Sequence, residues 1–335
     1  MNTTITQHPV LLIGGSGMVG KNAAEHLRRF HPELPILIGG RNLEKAQTVA
    51  NQLGNAQAVQ IDLERPNLGL PEDIQLSAVG TFFRDGEFYS QRWAQNKRIP
   101  FLFISGYEHE IGKHTSIYLH GPLAAPVVIA THWMGGIPIT LAKHYARQFR
   151  SIEAINISVI FDPEEEIGPD GTLQNEGEIE ETSPYPLFFQ DGKWKRAKDE
   201  MDIGRTIKTV DGSIQEATAF SSPDILSLGA MDIKSARFDF LAHESSGRKS
   251  GGQITHDIII EITGELKDGT LTTVRREIVY PDNQSSMTGL GAAIGIEHLL
   301  GLVDTAPRPG LYFPENVIDP LHLEQRLKQT GTHIS

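Results

Sequence analysis

The chain of 335 residues contains no cysteine, so disulfides, thiolate catalysis and Cys-ligated zinc are all excluded. It holds no apolar run approaching the ~20 residues of a membrane span. Its opening stretch, MNTTITQHPV, has neither the basic nor the apolar region of a secretory leader. The expectation is a cytoplasmic address and no membrane partner. Positive charge is in deficit too: 30 Lys and Arg against 42 Asp and Glu give a formal net charge of -12. A nucleic-acid backbone is therefore not the expected partner, and an anionic ligand needs a locally basic pocket or a helix N-terminus. What is present is the profile of a soluble enzyme acting on a small molecule, 39% hydrophobic and 21% charged. The length exceeds what one compact core usually serves, so two domains are expected.

The first part of the chain alternates apolar runs with helical patterns. PVLLIG, LPILIGG, AQAVQID, LSAVGTFF, IPFLFISG and APVVIATHW read as strands. MVGKNAAEHLRRF, LEKAQTVANQLG and the stretch around EFYSQRWAQNK read as helices, the second closed by Gly54. Strands alternating with helices imply right-handed crossovers, hence an α/β fold with an N-terminal Rossmann doubly wound parallel sheet. Near residue 150 the pattern changes. SIEAINISVIFD alternates in part, and ITHDIIIEITGELKDGTLTTVRREIVYPD reads as two long antiparallel strands turning at Asp268-Gly269. A shorter hairpin is expected at Asp191-Gly192, and SPDILSLGAMDIKSARFDF as a helix lying on the sheet. This makes a second α+β domain on a largely antiparallel sheet. The acidic stretch over 162–181 reads as a surface loop or insertion, with a metal site as the alternative. Near the end, MTGLGAAIGIEHLLGLV is a helix whose small residues allow close packing. DPLHLEQRLKQTG follows with Asp319 as N-cap, Pro320 at the first helical position and Gly331 past the end.

The glycine loop carries the first chemical signal. Gly15, Gly17 and Gly20 form G-x-G-x-x-G between a strand and a helix, and with Ser16, Met18 and Val19 they make the candidate cofactor loop. Gly15 permits the tight turn, Gly17 lets backbone approach a pyrophosphate, and Gly20 lets the helix pack close to the strand. Free N–H groups at the helix start face the anion. At the end of the second strand, where an NAD-binding protein usually has an acid, ILIGGRN places Arg41 with no carboxylate beside it. A guanidinium there can pair with a 2′-phosphate, Asn42 can add a hydrogen bond and Lys45 charge. NADP(H) is therefore favoured over NAD(H). Asp62, closing the third strand, either accepts from the adenine amino group or caps a plain loop.

These segments in order, VLLIGGSGMVG, ILIGGRNLEKAQTVANQLG and VQIDLERP, together with GAAIGIEHLLGL and GLYFPENVIDPLHLEQRLKQTG near the end, resemble the saccharopine dehydrogenase-like family. The resemblance covers both ends of the chain, roughly half of it. It implies a Rossmann domain over 1–130, a substrate and dimerisation domain over 131–285, and C-terminal helices over 286–335 that return to the first domain. It also implies a homodimer and hydride transfer to or from an imine of an amino-acid- or polyamine-like substrate, since members include saccharopine reductases and carboxyspermidine-type dehydrogenases. GTFFRDGEFYS, FISGYEHE and HWMGGIP depart from the family's segments after strands four, five and six. An NADPH-binding regulatory protein without turnover, or a carbonyl reductase, are the alternatives.

Ligands in such a sheet bind outside the carboxyl ends of the strands. Thr81 and Phe82 are the candidates nearest the nicotinamide, with Arg84 and Asp85 following. Arg84 suits a substrate carboxylate. His132, at the end of strand six, is the first candidate for proton transfer, and Tyr107, after strand five, the second. HEIGKH, from His109 to His114, is one residue too long for the zinc-protease pattern, so no metal site is expected there.

Overall fold

The computed structural model describes residues 8–104, 110–166, 186–198 and 203–335. These divide into two compact units. Unit 1 takes the described residues up to Gly135 and those from Thr288 to Ile318; unit 2 takes Gly136 to Met287 and Asp319–Ser335. The segment 319–335, expected with the Rossmann domain, thus counts with unit 2.

Unit 1 is built on β1 (Val10–Ile13), β2 (Ile36–Gly40), β3 (Ala56–Gln60), β4 (Ala78–Thr81), β5 (Phe101–Phe103), β6 (Val127–Ile129) and β15 (Leu311–Tyr312). They form one parallel seven-stranded sheet in the order β15-β6-β5-β4-β1-β2-β3. The run 3-2-1-4-5-6 within it is the doubly wound Rossmann order. Residues alternate between the two faces, as strand geometry requires. Val10 and Leu12 pack into one core with Ala23, Leu27 and Ile296, while Leu11 and Ile13 pack into another with Trp93, Phe101 and Phe103. Helices α1 (Met18–Phe30), α2 (Leu43–Leu53), α3 (Tyr89–Lys97) and α4 (Ile111–Leu119) connect the strands.

The long helix Gln284–Leu299 carries the small-residue stretch, and its glycines are needed. A Cβ on Gly291 would lie 2.1 Å from the Met134 carbonyl oxygen, and one on Gly289 2.6 Å from Asn22 Cβ. Helix Pro320–Gln329 opens as expected, with Asp319 accepting from the His322 N–H and Pro320 in the first turn.

Unit 2 carries α5 (Ile137–Ala146) and a nine-stranded mixed sheet in the order β10-β11-β12-β7-β13-β14-β16, with β8 and β9 off this path. Its strands are β7 (Phe149–Phe161), β8 (Leu187–Gln190), β9 (Lys193–Arg196), β10 (Gly204–Lys208), β11 (Ile214–Ala219), β12 (Ile233–Ala242), β13 (His256–Leu266), β14 (Leu271–Tyr280) and β16 (His333–Ile334). The hairpin β13–β14 turns at Asp268-Gly269, and β8–β9 turns at Asp191-Gly192, where both residues have positive φ. SPDILSLGAMDIKSARFDF supplies the expected helix over Asp224–Gly229, and its second half is a strand, β12, paired parallel to β7 and antiparallel to β11.

The sheet folds back on itself. Arg205 on β10 reaches Asp239 on β12 at 2.9 Å, Ser158 on β7 at 3.1 Å and Glu261 on β13 at 3.6 Å. Arg275 on β14 donates to the Lys208 carbonyl of β10 at 2.6 Å. Inside the fold-back, Ile160, Ile207, Ala217, Leu241 and Ile259 form a small core. Most of the acidic stretch over 162–181 lies outside the described residues.

Candidate nucleotide site

The loop after β1 is shaped by backbone proximity. Gly14 takes a positive φ of 81°, and the Gly17 N–H donates to its carbonyl at 2.9 Å. A Cβ on Gly20 would lie 2.4 Å from that same oxygen, and one on Gly15 2.7 Å from the Leu12 carbonyl. The chain therefore passes from strand to helix with no room for a side chain at Gly15 or Gly20. Gly17 is the N-cap of α1 in extended conformation; it supplies no side-chain cap, and no acid lies in the first turn. The first-turn N–H groups, of Met18, Val19 and Gly20, have no intrahelical acceptor by helix geometry, so this terminus suits an anion. Ser16 is half-buried, its hydroxyl close to Gly40 at the end of β2.

Arg41 follows β2 and is exposed, as is Lys45. Asn42 is the N-cap of α2: its Oδ1 accepts the Lys45 N–H at 2.9 Å, so this oxygen holds the helix start. Asp62 Oδ1 accepts the Glu64 N–H at 3.2 Å, which is the loop-cap geometry.

Past the strand ends that should meet the substrate, several candidates are committed elsewhere. Phe82 is buried in the core with Ala130 and Ile296, so its ring is unavailable to a nicotinamide. The Thr81 side chain is 1% exposed and faces a cavity among α3 and α4. Arg84 donates through Nε and Nη2 to Glu110 Oε1, at 3.2 and 3.0 Å, so a buried carboxylate already holds its guanidinium. His132 is 2% exposed and packs edge-on to Phe313 at 4.8 Å. Burial pushes its pKa down to about 3 against the opposing pull of a hydrogen bond to Ile129. The ring is thus neutral at ordinary pH, which counts against an imidazolium there as proton donor. Tyr107 lies outside the described residues. Glu110 escaped sequence reasoning because nothing local marks it as the partner of a residue 26 positions earlier.

No protein-family model matches the chain, and no curated protein matches its sequence. Among solved structures, apo histidine-tagged saccharopine dehydrogenase (L-Glu forming) from Saccharomyces cerevisiae aligns over 98% of this chain and 99% of its own, with TM-score 0.70 and 12% identity. The fold is saccharopine dehydrogenase-like. GenD2 from gentamicin A biosynthesis, solved in complex with NAD, aligns over 100% of this chain and 98% of its own, with TM-score 0.50 and 10% identity. Within the saccharopine dehydrogenase-like fold of this chain, the glycine loop and Arg41 come from unit 1 alone, at the carboxyl ends of β1 and β2.

Proposed function

We propose that the protein is an NADP(H)-dependent oxidoreductase that transfers hydride to or from an imine of an amino-acid- or polyamine-like substrate. The observation that carries this reading is the uncapped α1 N-terminus beside Gly14, Gly15 and Gly17, with exposed Arg41 at the next strand end. The residues fit a dinucleotide, because Gly15 and Gly20 let the loop close on its own backbone, where a Cβ would meet Leu12 or Gly14, and so bring the start of α1 up against the end of β1. In this reading the N–H groups of α1 hold the pyrophosphate, and Arg41 pairs with the 2′-phosphate while the Asn42 cap fixes the turn that presents it. Bound there, the nicotinamide supplies or accepts the hydride. Asp62 serves its loop and is not assigned to the adenine, and Arg84, held by Glu110, is not assigned to the substrate. Burial keeps His132 neutral, which leaves Tyr107 as the proton donor. The likeness to saccharopine dehydrogenase (L-Glu forming) and to GenD2 supports the reading at the level of fold. A small-molecule substrate, a homodimer and a cytoplasmic address belong to it as well.

The commitment of His132 and Arg84 to packing and pairing favours one second reading, an NADPH-binding regulatory protein without turnover. Fluorescence titration with NADPH and NADH, on the wild type and on Arg41→Ala, tests the shared core of both. A charge-assisted contact contributes about 1.5–3 kcal/mol, so NADPH binding weakens roughly tenfold to hundredfold in the variant. NADH binding changes little. Failure of the wild type to bind either nucleotide refutes both readings; amine-plus-ketoacid turnover with NADPH decides between them.

A further inference from the structure

The order of the unit 1 sheet sets β1 between β2 and β4, so a dinucleotide on the α1 N-terminus extends to both sides of the glycine loop. Arg41 follows β2, which gives that side to the adenosine half and its 2′-phosphate. The nicotinamide half then falls past β4. Most side chains there are already engaged. Phe82 lies in the core with Ala130 and Ile296, and Arg84 is held by Glu110. Asp85 Oδ2 accepts the N–H and the hydroxyl of Ser90, at 2.7 and 2.6 Å.

Phe83 is placed differently. The Phe82 N–H donates to the Ile13 carbonyl at 2.9 Å, which ties the end of β4 to the end of β1. The next side chain is thereby laid against the loop: Phe83 Cδ1 is 3.1 Å from where a Cβ on Gly14 would stand. The ring also packs against the core that holds Phe101 and Phe103, yet the residue is only half-buried. An aromatic side chain with part of its surface in solvent thus borders Gly14, on the side of the loop away from Arg41.

Charge decides which form of a nicotinamide such a ring prefers. The oxidised form is a pyridinium cation, and the reduced form is neutral. Apolar contact serves both alike, whereas the face of an aromatic ring attracts a cation. We propose that Phe83 holds the nicotinamide end of the bound dinucleotide and that its ring favours the oxidised form. The inference rests on the reading of the loop as a dinucleotide site. A side chain that binds the oxidised form more tightly makes the reduced form, once bound, the stronger hydride donor.

Calorimetric titration of the full-length protein tests this with NADP+, NADPH and 2′,5′-ADP, which has the adenosine half and its 2′-phosphate but no nicotinamide. NAD+, NADH and AMP form the parallel set. In Phe83→Leu the oxidised dinucleotide is expected to lose about threefold to tenfold more affinity than the reduced one. The nucleotide without nicotinamide keeps its wild-type affinity. Phe83→Tyr retains the aromatic face and with it the wild-type preference. Phe83→Met fills similar space without that face and carries the test should the leucine variant fail to fold. Equal losses for the oxidised and reduced forms overturn the proposal. So does an equal loss for the nucleotide without nicotinamide, the sign of a displaced loop, and so does unchanged binding of the oxidised form. In each of those outcomes the wild type still binds the dinucleotide, and the reading of the loop stands. A wild type that binds no nucleotide removes both.

Discussion

Replacing Gly20 by alanine tests whether the loop after β1 is limited by contact rather than by conformation. Gly20 sits in the first turn of α1, where alanine ordinarily gains about 1 kcal/mol in helix propensity over glycine. Against that gain stands the new Cβ, 2.4 Å from the Gly14 carbonyl oxygen and 2.7 Å from Gly15 Cα. Both obstacles are backbone, so no side chain can swing away. Overpacking of this kind costs about 1–3 kcal/mol, sometimes more, and a net loss of up to about 2 kcal/mol is expected. The displaced loop should also weaken NADPH binding at least tenfold, because the N–H groups no longer converge. Gly112→Ala is the control: it is a helical glycine in α4 with nothing within 4 Å of the added Cβ, and it should stabilise by up to about 1 kcal/mol. Urea unfolding followed by tryptophan fluorescence reads both, since Trp93 lies in the unit 1 core. If Gly20→Ala proves as stable as Gly112→Ala and binds nucleotide normally, the close-approach argument is refuted.

Three further expectations concern both units. Burial alone would raise the pKa of Asp162, but hydrogen bonds from Arg248, Ser245 and the Glu164 N–H outweigh it and hold it at about 2. A depressed carboxylate contributes stability above its unfolded value and loses it as pH falls through the folded one. Asp162→Asn should therefore cost about 2 kcal/mol at neutral pH and remove the acid-unfolding step between about pH 4 and 2; an unchanged acid profile would count against the assignment. For His132, ring-proton NMR should show no titration from pH 5 to 8, and a midpoint near 6.5 would contradict its burial. Asp319→Ala removes the N-cap of helix Pro320–Gln329 and should lower unit 2 stability by about 1 kcal/mol in a denaturant melt.

The parallel sheet was legible because its central strands are buried on both faces and read as short apolar runs such as VLLI and VVI, each following a proline. The hairpins at Asp191-Gly192 and Asp268-Gly269 were legible from turn chemistry that acts locally. β12 was not. Its Arg237 and Asp239 interrupt the apolar pattern of a buried strand, yet Asp239 is fully buried because Arg205, 34 positions away, comes to pair with it. The site divides the same way. Gly15, Gly17 and Gly20 announce themselves through spacing, and Arg41 through its place after a strand. What Arg84 and His132 do depends on Glu110 and Phe313, contacts that only the tertiary fold creates. α4 was passed over because its sequence first invites comparison with a metal motif, and Gly112 weakens the helical pattern.

The fold-back of the unit 2 sheet bears on how that unit comes apart. β10 is a short edge strand, the kind that frays first and offers its free backbone to a neighbouring molecule. Here Arg205 ties it across the sheet to β12, β7 and β13, and Arg275 of β14 holds the Lys208 carbonyl. The margin of the sheet is thereby fastened to its centre. Amide hydrogens of β10 and β11 should exchange together with those of β7 and β13, in one cooperative opening rather than by progressive fraying from the rim.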